Sequence, residues 1–438
     1  MIFVLDIILL INIYVAVRFF KYLISPPVLV GSGMLIASLV ATLYIREWRL
    51  DELLPESVAI IGGGTLYFTL ICIVLRKKAP RISEPNEFDF KKYKYSFVKQ
   101  FVAFLIGVGL LVSILKIQSY AFFFGDGLSI SSLIQSARSD FQTGDNKFSF
   151  PFYVKWMSNF VVLCSNITIW ILCVQLYSKS KNRRIVFLCI IQLLLLSIDG
   201  LLSGAKGGAF DTIARFGVVY IIYSYARSGT YRISSATIKK MAITLFLILL
   251  SFKSMNLVMG RDVESLNATD LFAAYVGAEI KNFDIYMHGE DGNDNNMFWG
   301  QSTFETYYKR KYPKKLSGDQ GKFLFVGDSF LGNVYTQYYH YHKDFGTEGV
   351  FAVLSVIAFT SMFMYNRALK TLQAPLKINC WLLIYSMTAF HLFMSFFSAR
   401  YTIGLFHWGF VTNMIFVWLM SKWFASSINK QTNYTRGY

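Results

Sequence analysis

Apolar runs of about twenty residues recur along this chain, and runs of that length leave a polypeptide few choices. Each can cross the roughly 30 Å hydrocarbon core of a bilayer as a helix, which satisfies its own backbone groups where no water can. The runs fall at 2–17, 27–45, 57–75, 100–116, 156–177, 185–203, 208–225, 241–259, 349–366, 379–398 and 403–421. They predict an all-α polytopic membrane protein, a single membrane domain over 1–438 with about eleven transmembrane helices (10–12). The first run has no basic n-region and no small-residue cleavage site, so it is read as a retained helix rather than a signal peptide. Only 16% of the 438 residues are charged, against about 25% in soluble domains.

The formal charge of +17 does not point to nucleic acid, because the cations sit in short loops between apolar runs. One set of alternate loops carries 24 of them, from Arg18 and Lys21 through the 76–99 stretch to Lys422, Lys430 and Arg436. The opposite loops are acidic or mixed. The positive-inside bias therefore predicts the first set, and the C-terminus, in the cytoplasm. Two longer segments then face outward. Residues 117–155, with Gly125-Asp126-Gly127 and Arg138, read as a loop with a short amphipathic helix. Residues 260–348 form a large outer (periplasmic or extracellular) loop, rich in Tyr, Asp, Asn and Lys and expected to hold short helices; loops that long are usually functional.

Several familiar patterns carry no site. Gly62-Gly63-Gly64 lies in a membrane run, where glycines permit close helix contact. Asp291-Gly292-Asn293-Asp294-Asn295-Asn296 lacks the sixth-position Gly and twelfth-position Glu of an EF-hand. Five scattered His give no zinc spacing, and no Gly-x-Ser-x-Gly motif suggests a hydrolase. The cysteines Cys72, Cys164, Cys173, Cys189 and Cys380 all fall in apolar runs and are expected as free, packed thiols.

Topology singles out a set of cations. Lys206 lies in Ser203-Gly204-Ala205-Lys206-Gly207-Gly208, Arg261 follows the eighth run and Arg400 separates the last two, all at predicted outer helix ends. Arg215 lies inside the seventh run, one turn from Asp211, where a charge is costly unless it faces a partner or a wet cavity. Stray outer cations run against the positive-inside tendency, so Lys206, Arg261 and Arg400 are candidates for an anion site.

The strongest local signal is Asn333-Val334-Tyr335-Thr336, then the aromatic stretch Tyr338-Tyr339-His340-Tyr341-His342, then Asp344-Phe345-Gly346-Thr347-Glu348-Gly349 running into the ninth span. This segment resembles the Wzy-type O-antigen and capsule polymerases, the oligosaccharide repeat-unit polymerases of bacterial surface glycans. The match comprises Asn333, Tyr335, Thr336, Asp344, Phe345, Gly346 and Gly349. The small-residue turn at Lys206 is similar to a Ser-Gly-x-Arg-Gly turn in that family, with Lys in place of Arg, which keeps the charge and loses the bidentate fork. Tyr339-His340 stands where many members carry an Arg.

The resemblance implies a GT-C-like fold and a metal-independent glycosyltransferase without cofactor in the bacterial plasma (inner) membrane, its active site on the outer side. Its partners would be undecaprenyl-pyrophosphate-linked oligosaccharides as donor and acceptor, the lipid bilayer and, where chain length is controlled, a chain-length regulator protein; nucleic acid is not among them. The residue types suit that chemistry. Lys206, Arg261, Arg400 and Arg215 could hold a pyrophosphate and stabilise its charge as it leaves. Asp344, His340, His342 and Asp284 are candidate bases for the acceptor hydroxyl. Asn333, Tyr335, Thr336, Tyr338 and Tyr339 offer sugar-binding faces and hydroxyls. Asp344 could alternatively cap the ninth span. Two other readings fit an all-helical basic membrane protein: a flippase or transporter of the lipid-linked oligosaccharide, which would more typically show internal pseudo-symmetry, and an O-antigen ligase.

Overall fold

The structure, a computed structural model, describes residues 1–78, 80, 95–125, 127–142, 148–178, 181–204, 206–230, 239, 268–289, 298–312 and 323–429. In chain order the elements are α1 (Ile2–Phe20), α2 (Pro26–Leu43), α3 (Pro55–Val74), α4 (Tyr95–Phe124), α5 (Ile130–Gln142), α6 (Phe152–Tyr177), α7 (Arg183–Leu202) and α8 (Lys206–Ser228). There follow α9 (Ala268–Val276), α10 (Ala278–Met287), α11 (Glu305–Lys311), β1 (Leu324–Val326), β2 (Ser329–Gly332), α12 (Gln337–Ala368), α13 (Cys380–Phe393), α14 (Arg400–Leu405) and α15 (Trp408–Asn429).

Among the described residues seven helices are long and apolar enough to cross a membrane: α1, α2, α3, α4, α6, α7, and α12 with its extension to Leu372. They correspond to the first six predicted spans and the ninth, and the chain is accordingly a mainly helical, membrane-embedded protein. The seventh span forms as α8, but Asp211, Arg215 and three tyrosines keep it out of that set. The tenth is the shorter apolar helix Cys380–Phe396. Near the eleventh, α15 begins at Trp408. The eighth, 241–259, lies outside the described residues, as do Arg261 and the stretch 291–296.

Contacts divide the chain into two compact units. One comprises Met1–Lys78, Glu264–Asn366 and Thr388–Val411; the other comprises Ala79–Val263, Arg367–Met387 and Thr412–Tyr438.

In the first unit, Lys21 ends α1 in the left-handed region (φ 58°), and Pro26-Pro27 opens α2, where a missing N–H costs nothing. Asp6 on α1 accepts hydrogen bonds from Ser38 Oγ (2.6 Å) and Thr42 Oγ1 (2.9 Å) on α2, so its buried carboxylate is satisfied. A π-helical turn at Ala59–Gly63 interrupts α3. A Cβ on Gly62 would sit 3.0 Å from Ile8, and one on Gly64 would sit 2.7 Å from the Tyr338 ring, so two of the three glycines permit the close contacts expected of them. The 260–348 segment is well structured where described: it contains α9, α10, α11, the antiparallel β1–β2 hairpin and the start of α12. Gly277, between α9 and α10, lets the chain approach α2, where a Cβ would come within 2.8 Å of Ala41 N.

In the second unit α4, α6, α7 and α8 pack on one another. Every residue of α6 from Leu163 to Gln175 is buried, as befits the central helix of a bundle. Cys164, Cys173 and Cys189 are buried free thiols there. Asn182 caps α7 by accepting from Arg184 N (3.1 Å) and Ile185 N (3.3 Å). Near the other end of α7, Lys116 Nζ of α4 meets Asp199 Oδ1 at 2.6 Å, with side-chain exposures of 3% and 10%. Ser158 Oγ of α6 donates to Asp199 Oδ2 (2.7 Å), and Lys116 also donates to Ser203 Oγ (2.7 Å). Helix α4 therefore runs to Phe124, beyond its predicted end at residue 116 and into the expected outer loop. The amphipathic helix predicted in that loop is α5, whose Leu133 and Ile134 pack with Tyr120 and Leu202.

Candidate functional site

The first unit holds most of the residues singled out above, and Asn282 on α10 does much to arrange them. Its Nδ2 donates to Leu331 O (3.2 Å) and Val334 O (2.7 Å), which fixes the turn leading from β2 into α12 and so the position of Asn333. One turn into α12, Tyr339 stacks on Tyr335 at 3.9 Å and receives the edge of Tyr286 from α10 at 4.8 Å. The Tyr286 hydroxyl lies 3.0 Å from His342 Nδ1. Lys343 Nζ donates to the Tyr339 hydroxyl (3.1 Å). The half-buried edge of this cluster carries Asn333, Tyr286, His340, His342 and Lys343.

Gly346 breaks α12 with φ 68° and ψ −172°, a left-handed conformation that a side chain would strain. The break turns Phe345 back so far that a Cβ on Gly349 would run into it. Phe345 itself packs on Trp299 (4.8 Å) and Phe304 (6.4 Å). The two glycines of the Asp-Phe-Gly-x-x-Gly pattern thus make one kink.

The four candidate bases differ sharply. Asp344 Oδ1 accepts from Ser302 N (3.1 Å) and Oδ2 from Thr303 N (2.5 Å), so its carboxylate ties down the 302–303 backbone. Asp284 is fully buried: Oδ1 accepts from Leu54 N and Ser57 Oγ (both 2.9 Å), and Oδ2 pairs with Lys281 Nζ at 3.0 Å. That places a carboxylate at the positive end of α3, an anchor with no path to a substrate hydroxyl. His342 is engaged by Tyr286. His340 Nδ1 has no hydrogen-bond partner among the described residues.

Of the proposed sugar-binding residues, Asn333 is half-buried, whereas Tyr335, Thr336, Tyr338 and Tyr339 are buried. The Tyr338 hydroxyl lies 2.6 Å from Thr65 Oγ1 and that of Tyr341 lies 3.3 Å from Thr402 Oγ1. These rings therefore form the packed backing of the cluster; Tyr338 offers no face to a ligand. Also on α10, Glu279 is fully buried with neither oxygen hydrogen-bonded among the described residues. Burial pushes its carboxyl well above the usual carboxylate range.

The cations are divided. Arg400 opens α14 in the first unit, its guanidinium 5.0 Å from the centre of the Phe397 ring. Helix α14 is joined to the cluster through Thr402 and Tyr341, and Phe406 just beyond it packs on Phe304 at 5.0 Å. Lys206 and Arg215 lie on α8 in the second unit. Arg215 is buried and pairs with Asp211, while its Nε and Nη1 lack hydrogen-bond partners among the described residues. Among the described residues no group of three or more His, Cys, Asp or Glu could hold a metal ion. Asn282, Tyr286 and Lys343 were not foreseen; the polar pattern of α10 at residues 279, 281, 282 and 284 was the available signal.

Comparison with family models, with curated proteins and with solved structures finds no significant match for this chain.

Proposed function

We propose that this chain is a multi-pass glycosyltransferase that polymerises undecaprenyl-pyrophosphate-linked oligosaccharide repeat units on the outer face of the bacterial plasma membrane. The observation that carries the reading is the junction of the Asn333–Gly349 segment with α14: a helix opened by Arg400 is tied to the one that bears His340 and His342. In the reaction the acceptor hydroxyl oxygen bonds to the anomeric carbon of the donor, the bond from that carbon to the pyrophosphate breaks, and the hydroxyl proton passes to a base. His340 is the favoured base, because Asp284 and Asp344 are committed to backbone groups and His342 Nδ1 is engaged. Arg400 would stabilise charge developing on the departing pyrophosphate; Lys206, Arg215 and Arg261 are proposed as anion-binding cations by residue type.

The test is incubation of purified protein with a lipid-linked repeat unit. A ladder of lengthened products, lost in His340→Gln and Arg400→Ala at wild-type melting temperature, supports polymerisation. Translocation without lengthening would replace this reading with a transporter, and transfer only to a lipid-core acceptor would replace it with a ligase.

A further inference from the structure

The connector between α12 and α13 carries a feature that the polymerase reading does not use. An open cavity of about 240 Å³ lies there, lined by Arg367, Lys370, Thr371, Lys377, Asn379 and Trp381 among others; three of its lining side chains are cations and none is acidic. The basin is held in shape by one side chain. Asn379 Nδ2 donates to Arg367 O (3.0 Å), Ala368 O (3.3 Å) and Thr371 Oγ1 (3.0 Å), and its Oδ1 accepts from Trp381 N (3.0 Å). The end of α12 and the start of α13 are thereby stitched together, and Tyr223 OH of α8 adds a bond to Pro375 O (2.6 Å). Arg367 is fixed over the Trp381 ring at 4.7 Å. Neither Lys370 nor Lys377 pairs with a carboxylate among the described residues, and both are exposed.

Three cations around one basin suit an oxyanion. The basin lies at the end of a helix of membrane-spanning length and beside a tryptophan, the residue that favours the headgroup layer. We propose that it binds the phosphate of an anionic membrane phospholipid. The two lysines supply charge, Arg367 on its aromatic platform supplies a directed donor fork, and Trp381 lies beside the headgroup.

The inference stands apart from the polymerase reading and is tested without turnover. The purified protein is placed in neutral phosphatidylcholine nanodiscs with or without phosphatidylglycerol, and retained phosphatidylglycerol is counted by native mass spectrometry after transfer to detergent. Each near-surface cation contributes about fivefold in affinity, so Lys370→Gln with Lys377→Gln should weaken retention about 25-fold. Lys370→Arg should retain the lipid, which guards against a mere folding defect. Lys181→Gln, removing an exposed cation outside the basin, should also leave retention unchanged. Equal loss in Lys181→Gln would reduce the effect to general surface charge and overturn the site. So would equal retention of the neutral lipid, or binding of inorganic phosphate with the same variant dependence but no retained phosphatidylglycerol.

Discussion

Replacing Asp344 by Asn separates two roles for the carboxylate in the Asp-Phe-Gly pattern. Its two oxygens each serve a different main-chain donor, Ser302 N at 3.1 Å and Thr303 N at 2.5 Å. An amide has a single acceptor oxygen, so one N–H would face an NH₂ group and lose its bond, and the other would keep a bond to a neutral acceptor. Loss of one bond to a charged group and weakening of the second together cost about 3 kcal/mol. In a cooperative unit of about 200 residues that lowers the melting temperature by about 6–12 °C. Thermal unfolding can be followed by tryptophan emission, because Trp299 packs on Phe345 at 4.8 Å, next to Asp344. Chain lengthening is measured on the same preparation. The anchoring role predicts a lowered melting temperature and activity that partly recovers on cooling. A melting temperature equal to wild type with lengthening abolished would refute it and return Asp344 to the role of base.

Gly346→Ala should destabilise by about 1–3 kcal/mol, because φ 68° with ψ −172° is a backbone conformation essentially confined to glycine; wild-type melting would show that the kink relaxes without cost. Lys116→Met should cost about 3–5 kcal/mol by stranding the Asp199 charge, and adding Asp199→Asn should recover most of it; a double variant no more stable than the single would deny the coupling. For Glu279 the folded carboxyl titrates above its ordinary value of 4.5, so the native state binds the extra proton and stability falls as pH rises from that value toward the raised one. Glu279→Gln should abolish that slope while matching wild type in acid, as read from melting temperature against pH. Single cysteines at Ser83 and Ser317 should be, respectively, protected from and open to an impermeant thiol reagent in intact cells; the reverse pattern would invert the proposed topology.

Hydropathy located seven of the long helices to within a few residues at most ends, because apolar length is a local property. It failed where a charge is satisfied from afar. Lys116 reads as the end of a span, yet its partner Asp199 lies 83 residues away and the helix continues past it. The Asn333–Gly349 segment stood out as a pattern, but its division of labour did not. That Asp344 and Asp284 serve backbone amides while the tyrosines form a packed backing depends on α3, α10 and the 302–303 backbone, all remote in sequence. The positive φ of Gly346 is likewise a property of the folded backbone.

The Lys116–Asp199 pair also constrains how the protein is made. Helix α4 emerges from the ribosome before α7, so Lys116 must enter the membrane before its partner is beside it. A lone charge costs up to roughly 3 kcal/mol at a helix centre on insertion scales and less toward the ends, where both residues sit. The 30 residues of α4 make a helix about 45 Å long, enough apolar length to tolerate a waiting lysine. Once α7 arrives, the two charges join with Ser158 of α6, which has entered between them. Assembly of this bundle is thus ordered by translation, with the buried pair closing when α7 arrives and α8 packing after it.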